Sequence, residues 1–386
     1  MLKYFPDNYA WNLTTLIAVD AVGTISEIDD AIRHLRDYQT ANPLVAGDEW
    51  WKAWSALAAR LADVAGDDLA AGRTLSAGRK LMRSALYELF SVRFLAHTDP
   101  RERATYLRGT SRFEAAVRLR RDRAEFIAIP YQSGYLPAIL VHAPGDNAQP
   151  CIIHFGGYDS LKEWIFPIAA EPFSRRGLSL LIVDQAGVGG ALRLYGLPAI
   201  VETEKSAAAC IDYLEKRPDI DASRVGVMGI SLGGYYAPRA AAFEKRLAAC
   251  IAWGGIWDLA ENFEALVSDR SKPRSIPDMF AYGRWVFGVE TDEAFWRVAR
   301  AMTLEPIIDR ITCPLLVLHG ENDRQVVPRV SERTYEHAVN SRRRELKVFD
   351  DRIGGIEHCN VDNLQLAVDY MADWSAEVLG GYPSGA

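Results

Sequence analysis

The chain is short of the features that mark several functional classes. It has no basic excess: 44 Lys and Arg stand against 51 Asp and Glu in 386 residues, a net charge of −7. Its one dense basic run, SRRRELK at 341–347, reads as a solvated helix end. No nucleic-acid partner is expected. No window reaches about 18 uncharged apolar residues, so no membrane-spanning helix is expected. The opening MLKYFPDNYAWNLTT lacks a basic head followed by an apolar stretch. These features predict a cytoplasmic protein with no membrane contact. The five cysteines, Cys151, Cys210, Cys250, Cys313 and Cys359, are odd in number and unpaired in spacing. Reduced thiols are expected, with no disulfide frame and no metal site. Internal repeats and low-complexity tracts are also missing.

What is present is the material of a large core, with 49% hydrophobic and 25% charged residues. Residues 1–125 read as an all-helical N-terminal domain, because apolar residues recur at three and four and strand-like alternation is nearly absent. Within it Trp50, Trp54, Leu57 and Leu61 form one helical stripe, which reads as core before it reads as a lining for an aromatic ligand.

The texture changes at residue 126. EFIAIPYQSGYLPAILVHAP reads as an opening hairpin, followed by short apolar runs at 151–155, 178–184, 224–229, 248–253, 314–320 and 345–350 that alternate with helical segments. Such runs need cover on both faces, so 126–386 is expected to be an α/β domain with a mostly parallel sheet of about eight strands. Residues 258–305 break the alternation with polar, Pro-containing and aromatic helical material, and read as a cap insertion.

Gly229-Ile230-Ser231-Leu232-Gly233 matches G-x-S-x-G, set between an apolar strand and an amphipathic helix as that motif requires. The turn is tight enough to demand small residues at 229 and 233, and it lifts a hydroxyl to a helix N-terminus, where developing negative charge is favoured. A serine hydroxyl is a poor nucleophile at neutral pH and needs a histidine base and an acid, which follow in the order Ser, acid, His in α/β-hydrolases. Of the histidines in this part, His142 lies in the hairpin, His154 and His319 in strands and His337 in a helix. His358 alone lies in a loop after the last strand, behind Gly354-Gly355, and is the expected base. Asp323 follows the penultimate strand directly and is the expected acid, ahead of Asp258 and Glu321. The glycine pair in HFGGYDS lets N–H groups near Gly157 and Tyr158 turn inward and join that of Leu232 as an oxyanion hole. DQAGVGGAL at 184–192 lacks the full dinucleotide register and its later acidic residue, so no nicotinamide cofactor is expected.

With these residues in view, the helical N-terminal region, HFGGYDS, DQAGVG, GISLGGYYAPRAAAFEKR, AWGG, HGENDRQVV and the GGIEHCNVDN ending resemble the 2,6-dihydroxypseudooxynicotine hydrolase group. These are α/β-hydrolases related to the fermentation-respiration switch proteins and to fungal pigment hydrolases that shorten polyketide chains. The resemblance implies an α/β-hydrolase fold with Ser231, Asp323 and His358 as triad. It also implies hydrolysis of a carbon-carbon bond beside a ketone in an aromatic or polyketide-like small molecule, and a homodimer. The family's pocket carboxylate, shortly after the AWGG strand, falls near Asp258 and Glu261. Trp257, Tyr282 and Trp285 are further candidate substrate contacts, in the company of Tyr158 and Phe263. Two rival functions share the sequence: an ester or thioester hydrolase using the same triad, and a binding protein that keeps the fold without turnover.

Overall fold

A computed structural model describes residues 2–269, 276 and 278–381. By its internal contacts the chain divides into two compact units, residues 1–124 with 273–282, and residues 125–272 with 283–386.

The first unit is built on five helices, α1 (Tyr9–Ala21), α2 (Ile25–Ile32), α3 (Pro43–Ala70), α4 (Thr74–Ser91) and α5 (Pro100–Arg120). Their starts follow from local chemistry. Asn8, Asn42 and Asp99 each accept a hydrogen bond from an N–H of the first turn, and Pro43 and Pro100 occupy the first helical position, where no N–H is needed. The α3 stripe is core: Trp50 and Trp54 are fully buried, with ring centroids 5.2 Å apart. Trp11 lies 5.0 Å from Trp50 on one side, and Phe94 meets Trp50 edge-on at 5.0 Å. The Trp50 indole N–H donates to the Phe90 carbonyl at 3.0 Å.

The second unit carries an eight-stranded sheet in the order β1-β2-β4-β3-β5-β6-β7-β8. The strands are β1 (Ala124–Tyr131), β2 (Gly134–Val141), β3 (Gln149–Phe155), β4 (Ser179–Val183), β5 (Ile220–Ile230), β6 (Ala249–Trp253), β7 (Leu315–Gly320) and β8 (Arg344–Phe349). From β4 to β8 every pairing is parallel, while β2 runs antiparallel to β4. The central strands are buried on both faces, which explains their unbroken apolar runs. Helices α6 (Lys162–Ser174), α7 (Gly189–Tyr195), α8 (Glu204–Leu214), α9 (Gly233–Phe243), α10 (Leu259–Ser268), α11 (Met279–Phe287), α12 (Asp292–Ala301), α13 (Arg329–His337) and α14 (Leu364–Leu379) complete the chain. The fold is that of an α/β-hydrolase, with α10–α12 inserted between β6 and β7. Residues 270–275 and 277 of the expected cap lie outside the described residues. Among the described residues no helix is long and apolar enough to cross a membrane.

Candidate active site

Strand β5 ends at Ile230, and Ser231 then turns the chain into α9 with a left-handed backbone, φ 58°. Two glycines make that turn possible by close approach rather than by flexibility. A Cβ on Gly229 would stand 2.0 Å from the Gly233 carbonyl oxygen, and one on Gly233 would stand 2.7 Å from the carbonyls of Phe155 and Gly156. The Ser231 N–H donates to the Trp253 carbonyl at 2.8 Å, tying the corner to β6.

His358 comes from the short turn His358–Asn360 between β8 and α14, and Asp323 from the loop after β7. His358 Nε2 lies 2.9 Å from Ser231 Oγ, and His358 Nδ1 lies 2.7 Å from Asp323 Oδ2. The other carboxylate oxygen accepts from the Gln325 and Val326 N–H groups, each at 2.9 Å. Oδ2 also faces His319 Nε2 at 3.2 Å, and the same nitrogen lies 2.8 Å from the Val326 carbonyl. Both acid and base are buried.

Burial alone would raise the Asp323 carboxyl, but the charges and hydrogen bonds of His358 and His319 outweigh it and hold the group well below the usual carboxylate range. His358 shows the mirror image. Burial disfavours the imidazolium, yet the Asp323 carboxylate, followed by the Cys359 sulfur, lifts the ring well above its ordinary value. Burial keeps the Cys359 thiol protonated, so the Asp323 charge carries that lift.

The turn holding His358 is pinned by residues the sequence reading did not single out. Cys359 and Asn360 are both left-handed, with φ 51° and 57°. The Trp253 indole N–H donates to Asn360 Oδ1 at 2.7 Å, and Cys359 Sγ lies 3.3 Å from His358 Nε2. Three other histidines have different surroundings. His142 lies between Glu125 and Asp219, each at 3.1 Å. His154 is fully buried in β3, where burial pushes its imidazole down to about 3. His337 lies exposed at the end of α13.

The oxyanion-hole expectation needs one correction. The Gly157 N–H donates to Ser160 Oγ at 2.8 Å, so this loop group is already committed. At the head of α9, the Leu232 N–H has no acceptor among the described residues. The loop itself touches the corner, since a Cβ on Gly157 would stand 3.0 Å from Ser231 Cβ.

The expected substrate contacts each have protein neighbours. Trp257 is buried against α13, with the Arg333 guanidinium 4.8 Å over its ring and His337 at 5.3 Å. Asp258 caps α10, accepting the Glu261 N–H at 2.8 Å. Glu261 is 61% exposed and ion-paired with Arg333 at 2.8 Å. Both carboxylates thus have structural partners. Trp285 is half-buried under the Arg193 guanidinium at 5.1 Å. Tyr282 groups with the helical unit. Among the described residues no group of three His, Cys, Asp or Glu is placed to hold a metal ion.

Comparison with known proteins agrees with this architecture. Residues 202–351 match the prolyl oligopeptidase family. A 2,6-dihydropseudooxynicotine hydrolase from Paenarthrobacter nicotinovorans is 30% identical over 86% of this chain and 84% of its own. A 20-hydroxy-prefusarin hydrolase from Gibberella moniliformis is 28% identical, covering 76% and 78%. The crystal structure of the 2,6-dihydroxy-pseudo-oxynicotine hydrolase superposes with a TM-score of 0.76 at 26% identity, over 95% of this chain and 97% of that one. With that similarity spanning both the helical region and the serine-bearing sheet, the chain belongs to the α/β-hydrolase family of the 2,6-dihydropseudooxynicotine hydrolase and is a hydrolase.

Proposed function

We propose that Ser231 is the nucleophile, His358 the base and Asp323 the orienting acid of a hydrolase that cleaves a carbon-carbon bond beside a ketone in an aromatic or polyketide-like molecule. The observation that carries this reading is the unbroken hydrogen-bond chain from Ser231 Oγ through His358 to Asp323, at 2.9 and 2.7 Å. The carbon-carbon part is supported by the relatives, one named for a pseudooxynicotine and one for a prefusarin.

In this mechanism Ser231 Oγ adds to the carbonyl carbon while His358 Nε2 takes the hydroxyl proton. The Leu232 N–H at the head of α9, with the neighbouring Tyr158 N–H as second donor, holds the resulting oxyanion. One such donor is worth about 3 kcal/mol. As the tetrahedral adduct collapses, the carbon-carbon bond breaks and its electron pair leaves on a carbon stabilised by an adjacent carbonyl or hydroxylated ring. That carbon takes the proton from His358. Water, activated by the same imidazole, then releases the acid from Ser231.

An ester would use the same groups with an easier leaving group, so two measurements are needed. A fluorophosphonate probe should label the wild type and not Ser231→Ala; equal labelling of both removes Ser231 from the mechanism. Aryl β-diketones and acylphenols should then be compared with p-nitrophenyl esters. Turnover confined to the esters replaces the carbon-carbon reading with that of a carboxylesterase.

A further inference from the structure

The DQAGVGGAL segment, which lacks the full dinucleotide register, opens with two buried and closely engaged polar side chains. Asp184 and Gln185 follow β4 and are 0% and 2% exposed. The Gln185 amide is bonded at both ends to one residue of the neighbouring loop: its Oε1 accepts the Gly156 N–H at 3.1 Å, and its Nε2 donates to the Gly156 carbonyl at 2.9 Å. A side-chain amide thus does for Gly156 what a paired strand would do, at the point where β3 and its neighbour β4 have both ended. Asp184 secures the other end of the same loop. Its Oδ1 accepts the Lys162 N–H at 3.0 Å, and its Oδ2 accepts the Lys162 ammonium at 3.0 Å and the Gly190 N–H at 2.8 Å.

What is fixed in this way is the loop that faces Ser231. Gly156 carries the carbonyl that lies against Gly233, close enough that a Cβ there would meet it at 2.7 Å. The approach of the loop to the α9 N-terminus is closest where the Gly156 carbonyl meets Gly233. Gly157 is held separately through Ser160. Among the described residues the side-chain hydrogen bonds of Gln185 go to Gly156 and not to His358, Asp323 or Ser231, while its backbone carbonyl accepts the Val188 N–H at 2.9 Å.

We infer that Gln185 is a positioning residue for the oxyanion loop: it holds Gly156 so that the backbone beyond it stabilises the charge developing on the oxygen of a carbonyl or phosphoryl group whose carbon or phosphorus Ser231 attacks. This rests on Ser231 being the nucleophile, and the test separates the two. The readout is the second-order rate at which an alkyl fluorophosphonate labels Ser231, measured across pH, with melting temperatures alongside. Gln185→Met matches the side chain in length and removes both hydrogen bonds. Gln185→Asn, one methylene shorter, cannot reach both Gly156 atoms and is read in its place where the first variant melts below the assay temperature.

The expected result is labelling slower by about tenfold or more, because a displaced oxyanion donor loses much of its effect. The pH midpoint should stay that of the wild type, because the hydrogen bonds of His358 are untouched. Labelling within twofold of wild type in the folded variant overturns the inference. A slower rate with a displaced midpoint overturns it as well, since Gln185 would then be supporting the triad and not the loop. A wild type that does not label at all, like Ser231→Ala, removes the nucleophile itself, and the inference falls with that reading.

Discussion

Replacing Asp323 by Asn tests whether the buried carboxylate sets the tautomer of His358. Four donors converge on it: the Gln325 and Val326 N–H groups on Oδ1, and His358 Nδ1 and His319 Nε2 on Oδ2. In the Asn variant the amide oxygen is the sole acceptor for the two backbone N–H groups, so it stays on that side. The amide nitrogen, itself a donor, then faces both imidazoles. His358 can meet it only by presenting a bare Nδ1, which puts its proton on Nε2, against Ser231 Oγ. The hydroxyl then has no base. The expected loss in kcat is about 10⁴-fold, equivalent to about 5.5 kcal/mol of barrier. Stability should fall much less, by about 1–3 kcal/mol, because shape and most hydrogen bonds survive. Burst kinetics with a p-nitrophenyl ester, or the fluorophosphonate labelling rate where esters are not turned over, reads the first quantity, and chemical denaturation reads the second. A loss below tenfold in a folded variant would show that Asp323 does not orient the base.

Other outcomes follow from the same geometry. Activity should rise with pH as His358 loses its proton, since only neutral imidazole can accept from Ser231; because Asp323 raises the group, the midpoint of kcat/KM should lie above the ordinary 6.5, and a midpoint at or below that value contradicts the assignment. Gly229→Ala puts a methyl 2.0 Å from the Gly233 carbonyl and should cost about 3 kcal/mol or more by calorimetry. Gly66→Ala, with nothing within 4 Å of the added carbon on exposed α3, should instead stabilise by up to about 1 kcal/mol. Glu261→Gln should leave kcat/KM within about twofold, because it loses only a solvent-screened pair with Arg333; a larger loss would make that carboxylate a substrate contact after all.

The parts of the fold that could be read from the chain are those whose cause is local. The apolar runs of the central strands are continuous because each is covered on both faces, so β4, β6 and β7 fall within a residue or so of their expected bounds. Strand β5 starts earlier than RVGVMG suggested: Ile220 already pairs with Gln149, before a register shift, and residues 221–224 that follow it are partly or fully exposed. At the site, Ser231 was legible because its turn demands glycines on either side. Gln185 was not, since its partner lies 29 residues earlier and nothing in DQAGVG announces an amide mimicking a strand. His319 is set aside in the sequence because it ends a strand, whereas it faces the same carboxylate oxygen as His358. The chain likewise does not reveal that Arg333, 72 residues on, pairs with Glu261.

One consequence follows from the backbone at Ser231. A left-handed conformation disfavours any side chain and is tolerated most easily by glycine, at a difference of about 1 kcal/mol. The group proposed to carry the chemistry therefore occupies a position where the scaffold would be sturdier with no side chain at all. Ser231→Gly should melt above Ser231→Ala, and pressure for durability alone would drive this site toward silence. Stability gives no reason for a hydroxyl at this corner; the chemistry proposed for Ser231 does.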